Sequence, residues 1–326
     1  MEHTDALADL DLDDPRLTDH RSGKVRESWA LPGGKRLFVT TDRISAFDRV
    51  IGTIPHKGQV LNQLSAWWFE RLADVVDHHL VAVPDPNASV CVDAVPLPVE
   101  VVVRARLTGS TSTSILPRYL AGERVLYGVT LPDGLEPHGP LPHPILTPTT
   151  KTTDGGHDTP VTTEQVVELG LIEPERWAEV SGVALDLFRR GTEVAADAGF
   201  VLADTKYEFG LAADGRLVLI DEVHTCDSSR IWATEGLASR LATGQGPEAF
   251  DKEPVRLWLG AVGYRGDGDP PALTDEVRAE TSARYVSLFE RLTGTDFEPG
   301  EQPAAHRITA NVDRYLTNHP GTDTSP

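Results

Sequence analysis

The sequence predicts an α+β fold, and three observations carry that expectation. Strand-like and helix-like stretches are mixed without the regular β-α-β succession of a doubly wound sheet. Two pairs of strand-like runs are closed by glycine turns, "PGGK" and "ADG", which makes them antiparallel hairpins. The 326 residues, 40% of them hydrophobic and without internal repeats, are enough to bury a large core.

Taken in order, residues 1–20 open with the acidic "MEHTDALADLDLDD" and read as a flexible leader. "KVRESWAL" and "RLFVTT" form the first hairpin, with Gly33 and Gly34 supplying the turn. "KGQVLNQLSAWWFERLADVVDHH" places Val60, Leu61, Leu64, Trp67, Trp68, Leu72, Val75 and Val76 at helical spacing. "PVEVVVRARL" is a strand by its β-branched run. Residues 127–162 are rich in Pro, Gly and Thr and show no period, which suits a long functional loop. Residues 176–198 form a second amphipathic helix. "LADTKYEFGLAADGRLVLIDEV" is the second hairpin, "DEVRAETSARYVSLFERLTG" a late helix, and the last 25 or so residues a loosely held tail.

Composition excludes several classes. A formal charge of −20 is a poor match for nucleic acid, though it leaves room for a small anion in a locally basic pocket. No apolar run approaches a transmembrane span, and the acidic start lacks the pattern of a secretory signal, so a cytoplasmic protein without membrane contact is expected. Cys91 and Cys226 make neither a disulfide framework nor a metal pattern and read as small buried hydrophobes.

The second hairpin holds the most informative chemistry. Asp204, Lys206 and Glu208 alternate, so they share one face of a strand, while Ala203, Thr205, Tyr207 and Phe209 share the other. A charged hairpin face is commonly just solvated. Here Lys206 sits between two carboxylates, and the return strand ends in a second polar cluster, Asp221, Glu222, Asp227, Ser228, Ser229 and Arg230. Carboxylates on two adjacent strands suit a hard cation such as Mg²⁺, and an Arg just beyond suits a phosphate. "SGKVRESW" sets Gly23, Lys24 and Arg26 at the mouth of the first hairpin, where a glycine and two alternating cations can drape over phosphates. "VVVRARLTGSTS" offers Arg104 followed by a Gly109–Ser110 corner, a second candidate phosphate cradle. "TPTTKTTDGGHD" brings Lys151, Asp154, His157 and Asp158 into one loop, His157 being either a base or a solvated surface residue.

These segments carry a resemblance. "GKVR", "LFVTTDRISAFD", "KGQVLNQLSAWWF", "VVVRARLTGS", "LPDGL", "TPTTKTTDGGHD", "LADTKYEFG" and "LIDEVHTCDSSRIW" occur in the order found in the SAICAR synthetase (phosphoribosylaminoimidazole-succinocarboxamide synthase) family, over roughly residues 20–296. The resemblance implies an ATP-grasp-like, kinase-related fold of antiparallel sheets with flanking helices around a nucleotide cleft. It divides the chain into the leader (1–20), an N-terminal ATP-binding lobe (21–97), an ATP-grasp-like lobe (98–296) with the substrate loop 127–162, and the tail (297–326). It implies an ATP- and Mg²⁺-dependent ligase of purine synthesis, joining the carboxylate of carboxyaminoimidazole ribotide to the amine of aspartate through an acyl phosphate. Carried across by motif, Gly23, Lys24 and Arg26 would meet the ATP phosphates, and Glu208 and Asp221 would hold Mg²⁺. Arg104, Ser110 and Arg230 would grip the ribotide phosphate, with Asp227 a further substrate contact. Lys206 and Asp204 would lie beside the reacting imidazole, and Lys151 and Asp158 would belong to the substrate loop, Lys151 among the catalytic groups. Its partners would be the ribotide carboxylate, an amino acid and ATP; a homo-oligomer is compatible with this.

The chain also departs from the family pattern. Val92 and Asp93 stand where a basic pair is usual, Cys226 where a Pro is usual, and the "VRARLTGSTS" form is the less common one. Together with the extra leader and tail, these raise two other readings: a paralogous ligase of specialised metabolism, such as nucleoside-antibiotic assembly, and a ribotide-binding protein without turnover.

Overall fold

The computed structural model describes residues 6–110, 114–151 and 159–320. The chain runs β1 (Thr18–Ser22), β2 (Arg26–Leu31), β3 (Lys35–Thr40), β4 (Arg43–Ala46), β5 (Arg49–Thr53), α1 (Lys57–Leu72), β6 (Leu80–Asp85) and β7 (Ala88–Val92). It continues with β8 (Val95–Arg106), α2 (Ile115–Leu120), β9 (Val125–Leu126), β10 (Val129–Thr130), β11 (Pro140–Leu146), β12 (Thr149–Thr150), α3 (Thr163–Glu168) and α4 (Pro174–Asp197). The last part is β13 (Phe200–Leu211), β14 (Leu217–Ile220), β15 (Ser229–Ala233), α5 (Leu237–Ala242), α6 (Glu253–Ala261), α7 (Asp275–Thr293) and α8 (Ala304–Asn318).

Two antiparallel sheets organise these elements, as an α+β fold requires. The first has the order β1-β2-β3-β7-β6. The second has the order β11-β8-β13-β14, with β12 also pairing to β8 and β15 to β13. Residues 77–79 join them edge to edge. Leu219 N–H donates to the Asp77 carbonyl at 2.9 Å, His79 N–H to the Leu219 carbonyl at 3.0 Å, and Val92 N–H to the His79 carbonyl at 2.7 Å. The sheets therefore meet at a fixed seam and open into a cleft beside it.

The main core lies where α1, α4 and α7 cover one face of the second sheet. Leu64, Trp68, Val101, Leu187, Tyr207 and Tyr285 are all within it and essentially inaccessible. Burial of each large side chain contributes about 1.5–3 kcal/mol. α4 comes close because Gly191 faces the His224 ring, where a Cβ would lie 2.4 Å from the ring. The Tyr207 hydroxyl pairs with His224 Nε2 at 3.0 Å, and burial pushes the His224 pKa down to about 3, so the ring is neutral.

Three expectations are corrected here. From residue 6 onward the leader is not loose: Leu7, Leu10 and Leu12 are buried against β2, β3 and β7, and β1 begins at Thr18. Nor is the tail up to residue 320, where residues 304–318 form α8 and set Ala304, Ile308, Val312 and Leu316 into the same cluster. A polar composition concealed a sparse apolar stripe in each, which has a partner only once the first sheet exists. The stretch 127–162 is not structureless either. It contains β10, β11 and β12, and Leu131, Leu141 and Ile145 pack with Ile115 and Tyr119 of α2 in a separate small core. Pro140, Pro142 and Pro144 lie in β11, an edge strand of the second sheet, where a missing N–H is tolerated. Cys91 and Cys226 are free and buried.

Candidate active site

The charged face of β13 is built by register. In an antiparallel pair, opposed residues lie on one face, and here Glu208 opposes Glu100, Lys206 opposes Val102 and Asp204 opposes Arg104. Two carboxylates directly across a ladder repel each other. Lys206 resolves this: its Nζ donates to Glu100 Oε1 at 3.0 Å and to Glu208 Oε1. Lys151, just after β12, donates to the other Glu208 oxygen. Burial acts against charge on both Lys206 and Glu208. The mutual attraction wins, so Lys206 is held above the usual lysine range and Glu208 well below the usual carboxylate range.

β14 ends at Ile220, opposite Glu208, earlier than the hairpin pattern suggested. Asp221 adopts a φ of 67°, in the left-handed region that Asp tolerates better than most residues. The chain thereby turns toward the first sheet. Arg26, at the start of β2, pairs with Asp221 and lies 3.0 Å from Glu222. Asp221 is also 3.7 Å from Lys206. One ionic network thus crosses the cleft and ties the two sheets.

The cleft has a volume of about 760 Å³. Eight Lys/Arg and seven Asp/Glu side chains line it, whereas the whole chain has 30 and 50. The pocket is therefore cationic relative to the surface around it, as an anionic ligand requires. Of the residues singled out in the sequence, Gly23, Lys24, Arg26, Lys151, Lys206, Glu208, Asp221 and Asp227 meet there. Lys24 reaches Asp48 at 2.6 Å on the opposite lip. Asp227 is 2.9 Å from the fully buried Lys57 and 3.8 Å from Lys252, and these two cations outweigh its burial and hold its pKa at about 2.

Arg230 and Ser110 lie elsewhere, in a second cavity of about 580 Å³ lined also by Thr108, Gly109, His138 and Arg284. Gly109 has a φ of 112°, and a Cβ there would fall 2.3 Å from Ser114 Oγ. Arg104 and Asp204 are on neither lining; they pair across β8 and β13. Asp204 Oδ2 accepts from Arg104 at 2.8 Å and from Arg230 at 2.7 Å, so this carboxylate aligns two guanidinium groups. Asp158, with Asp154 and His157, lies outside the described residues.

Several lining groups had no marker in the sequence reading. Glu100 is the odd charge in a β-branched run, a signal that was available. Lys252, Arg256, Arg36 and His79 reach the cleft only through tertiary packing. Lys252 is largely desolvated, its side chain 14% exposed, which lowers its pKa to about 8 against the pull of Asp227. Burial likewise holds His79 near 3 and neutral. Arg36 donates to Asp93 at 3.1 Å, so a cation does stand beside the acidic departure at 93.

For a divalent cation, no group of three or more His, Cys, Asp or Glu is gathered among the described residues. Glu208 and Asp221 nevertheless fit Mg²⁺. Both are oxygen donors converging on one ammonium group, and Mg²⁺ characteristically takes one or two carboxylates and completes its shell with phosphates and water.

The family model of SAICAR synthetase matches residues 19–273. A phosphoribosylaminoimidazole-succinocarboxamide synthase of Legionella pneumophila (strain Paris) is 45% identical over 300 residues, covering 90% of this chain and 94% of that one. One from Bacteroides thetaiotaomicron is 40% identical over 316 residues, covering 96% and 99%. Among solved structures, the SAICAR synthase of Saccharomyces cerevisiae complexed with SAICAR superposes with a TM-score of 0.76 at 29% identity, covering 90% of this chain and all of that one.

Proposed function

The chain belongs to the SAICAR synthetase family and is an ATP-using carbon–nitrogen ligase, and from that premise we propose that it joins carboxyaminoimidazole ribotide to L-aspartate in purine synthesis. The observation that carries this reading is the Arg26–Asp221–Lys206–Glu208–Lys151 network on the floor of a cationic cleft between two sheets. Residues 21–97 form the nucleotide lobe, with the Gly23–Arg26 loop, Lys24 and Arg26 on the phosphates. Residues 98–296 supply the ribotide side. Glu208 and Asp221 hold Mg²⁺, which neutralises phosphate charge when bound.

The ribotide carboxylate attacks the γ-phosphorus of ATP and the ADP oxygen leaves. The amine of aspartate then attacks the acyl carbon of the resulting acyl phosphate, inorganic phosphate leaves, and the amine gives up a proton. Positioning and charge compensation provide most of the rate in such transfers. Lys206 keeps its proton, since its pKa is raised, so it acts as a fixed positive charge beside the reacting carboxylate and not as a base. Lys151 pairs with the other Glu208 oxygen and places a second ammonium group there. Arg230 and Ser110 receive the ribotide phosphate, Arg104 acting on it through Asp204, which pairs with both arginines, and Asp158 and Asp227 belong to the substrate contacts.

The test is direct. Protein mixed with Mg·ATP, aspartate and carboxyaminoimidazole ribotide should yield ADP and the succinocarboxamide in equal amounts by mass spectrometry. A folded protein that makes neither product overturns the substrate assignment. ADP formed without succinocarboxamide overturns the choice of aspartate as the amine.

A further inference from the structure

The motif "TTDR" (residues 40–43) lines no part of the reacting floor, yet two of its side chains hold the loop that does. Arg43 is 7% exposed and makes a fan of bonds. Its Nη2 donates to the Gly23 carbonyl at 2.8 Å, its Nε to the Lys24 carbonyl at 3.1 Å, and its Nη1 to the Ala8 carbonyl at 2.5 Å. Nη2 also donates to the buried Glu27 carboxylate at 2.6 Å. The neighbouring Thr41 holds the next carbonyl of the loop, Val25, through its N–H at 3.0 Å and its hydroxyl at 2.9 Å.

Three consecutive carbonyls, 23 to 25, are therefore turned into the body of the protein. In a planar trans peptide the following N–H points opposite to the carbonyl. The N–H groups of Lys24, Val25 and Arg26 are thus directed away from Arg43, and Gly23 to Arg26 line the cleft on that side. Successive N–H groups facing one way make an anion-binding concavity. The leader takes part from behind, since Leu7 N–H donates to Asp42 Oδ2 at 2.8 Å and Ala8 is bonded to Arg43.

We propose that Arg43 is a positioning residue of the nucleotide site, which orients the Gly23–Arg26 loop so that its backbone N–H groups receive the ATP phosphates, with residues 7–8 as its outer brace. This rests on the reading of that loop as the phosphate loop. A lysine at 43 keeps the charge opposite Glu27, but an ammonium cannot reproduce a planar fork that reaches several carbonyls at once.

The experiment is calorimetric titration with Mg·ATP of the wild type, Arg43→Lys, Thr41→Val and Lys24→Ala, with steady-state kinetics and melting temperature for each. Arg43→Lys should raise the ATP Kd and KM about tenfold or more, the scale expected for a misplaced binding element, and leave the ribotide KM and melting temperature near wild type. Thr41→Val should shift ATP alone, in the same direction and by less. An unchanged ATP Kd in Arg43→Lys, with Lys24→Ala weakened, overturns the positioning role. So does a fall in melting temperature with both KM values raised together, which marks a general structural role. If Arg43→Lys does not fold, an unchanged ATP Kd in Thr41→Val overturns the proposal. Lys24→Ala binding ATP as well as wild type overturns the phosphate-loop reading itself, and the proposal with it.

Discussion

Lys252 illustrates how a single buried group couples site and stability in opposite directions. It lines the cleft with a pKa lowered to about 8, chiefly by burial. Its positive charge is lost as pH rises through 8, so kcat/KM for the anionic substrates should fall on that alkaline limb. Lys252→Arg should move the limb out of range, because guanidinium does not titrate there. A limb that persists in Lys252→Arg belongs to another group. The sign for stability is reversed. The unfolded lysine, at 10.5, holds its proton through the window from about 8 to 10.5 while the folded one has released it. The unfolded state then binds more protons, and this residue's contribution makes the fold more stable as pH rises across that window. Chemical denaturation at pH 7.5 and pH 9.5, wild type against Lys252→Met, isolates that contribution.

Among the elements, α8 and the N-terminal segment close the first sheet from outside. Ile308 is fully buried between α8 and that sheet, and Arg307 beside it pairs with the buried Asp85 at 3.0 Å. Ile308→Ala should cost about 2–4 kcal/mol in urea unfolding, the range for truncating a buried aliphatic side chain. A change below half a kcal/mol would mean that α8 is not part of the folded unit. α1 is tied to the same region by a distant cap. Its N-cap residue, His56, makes no side-chain capping bond, and the Gly58 N–H is instead taken by Asp42 Oδ1 at 2.8 Å. A Cβ at position 58 would fall 2.2 Å from the Thr40 carbonyl, which is why "KG" opens this helix. Neither the cap nor the close approach is visible from helical periodicity, since both partners come from β3 and the turn after it.

At the scale of the molecule, the two cavities, one lined by Lys206 and the other by Arg230, should give separable kinetics. Arg230→Ala should raise the ribotide KM by about tenfold or more, the loss expected when one partner of a buried charged hydrogen bond is truncated, with the ATP KM nearly unchanged. An effect confined to ATP would assign the second cavity to the nucleotide. Among the described residues, no helix is long and apolar enough to cross a membrane.

The sequence by itself determined the α+β class, both hairpins, the three long helices and the charged face of β13, because each is written in periodicity or turn chemistry within a short window. Motif order determined the family in the same local way. Which charges neutralise one another was decided only by the tertiary structure. Glu100 meets Lys206 through a ladder register between strands about a hundred residues apart, and Arg43 meets Gly23 and Ala8 through the folding-back of a segment that composition marks as loose. The order of the leader and α8 was decided there too. A few leucines or isoleucines in a polar stretch gain burial energy only from a surface that distant strands create, and local sequence carries no record of that surface.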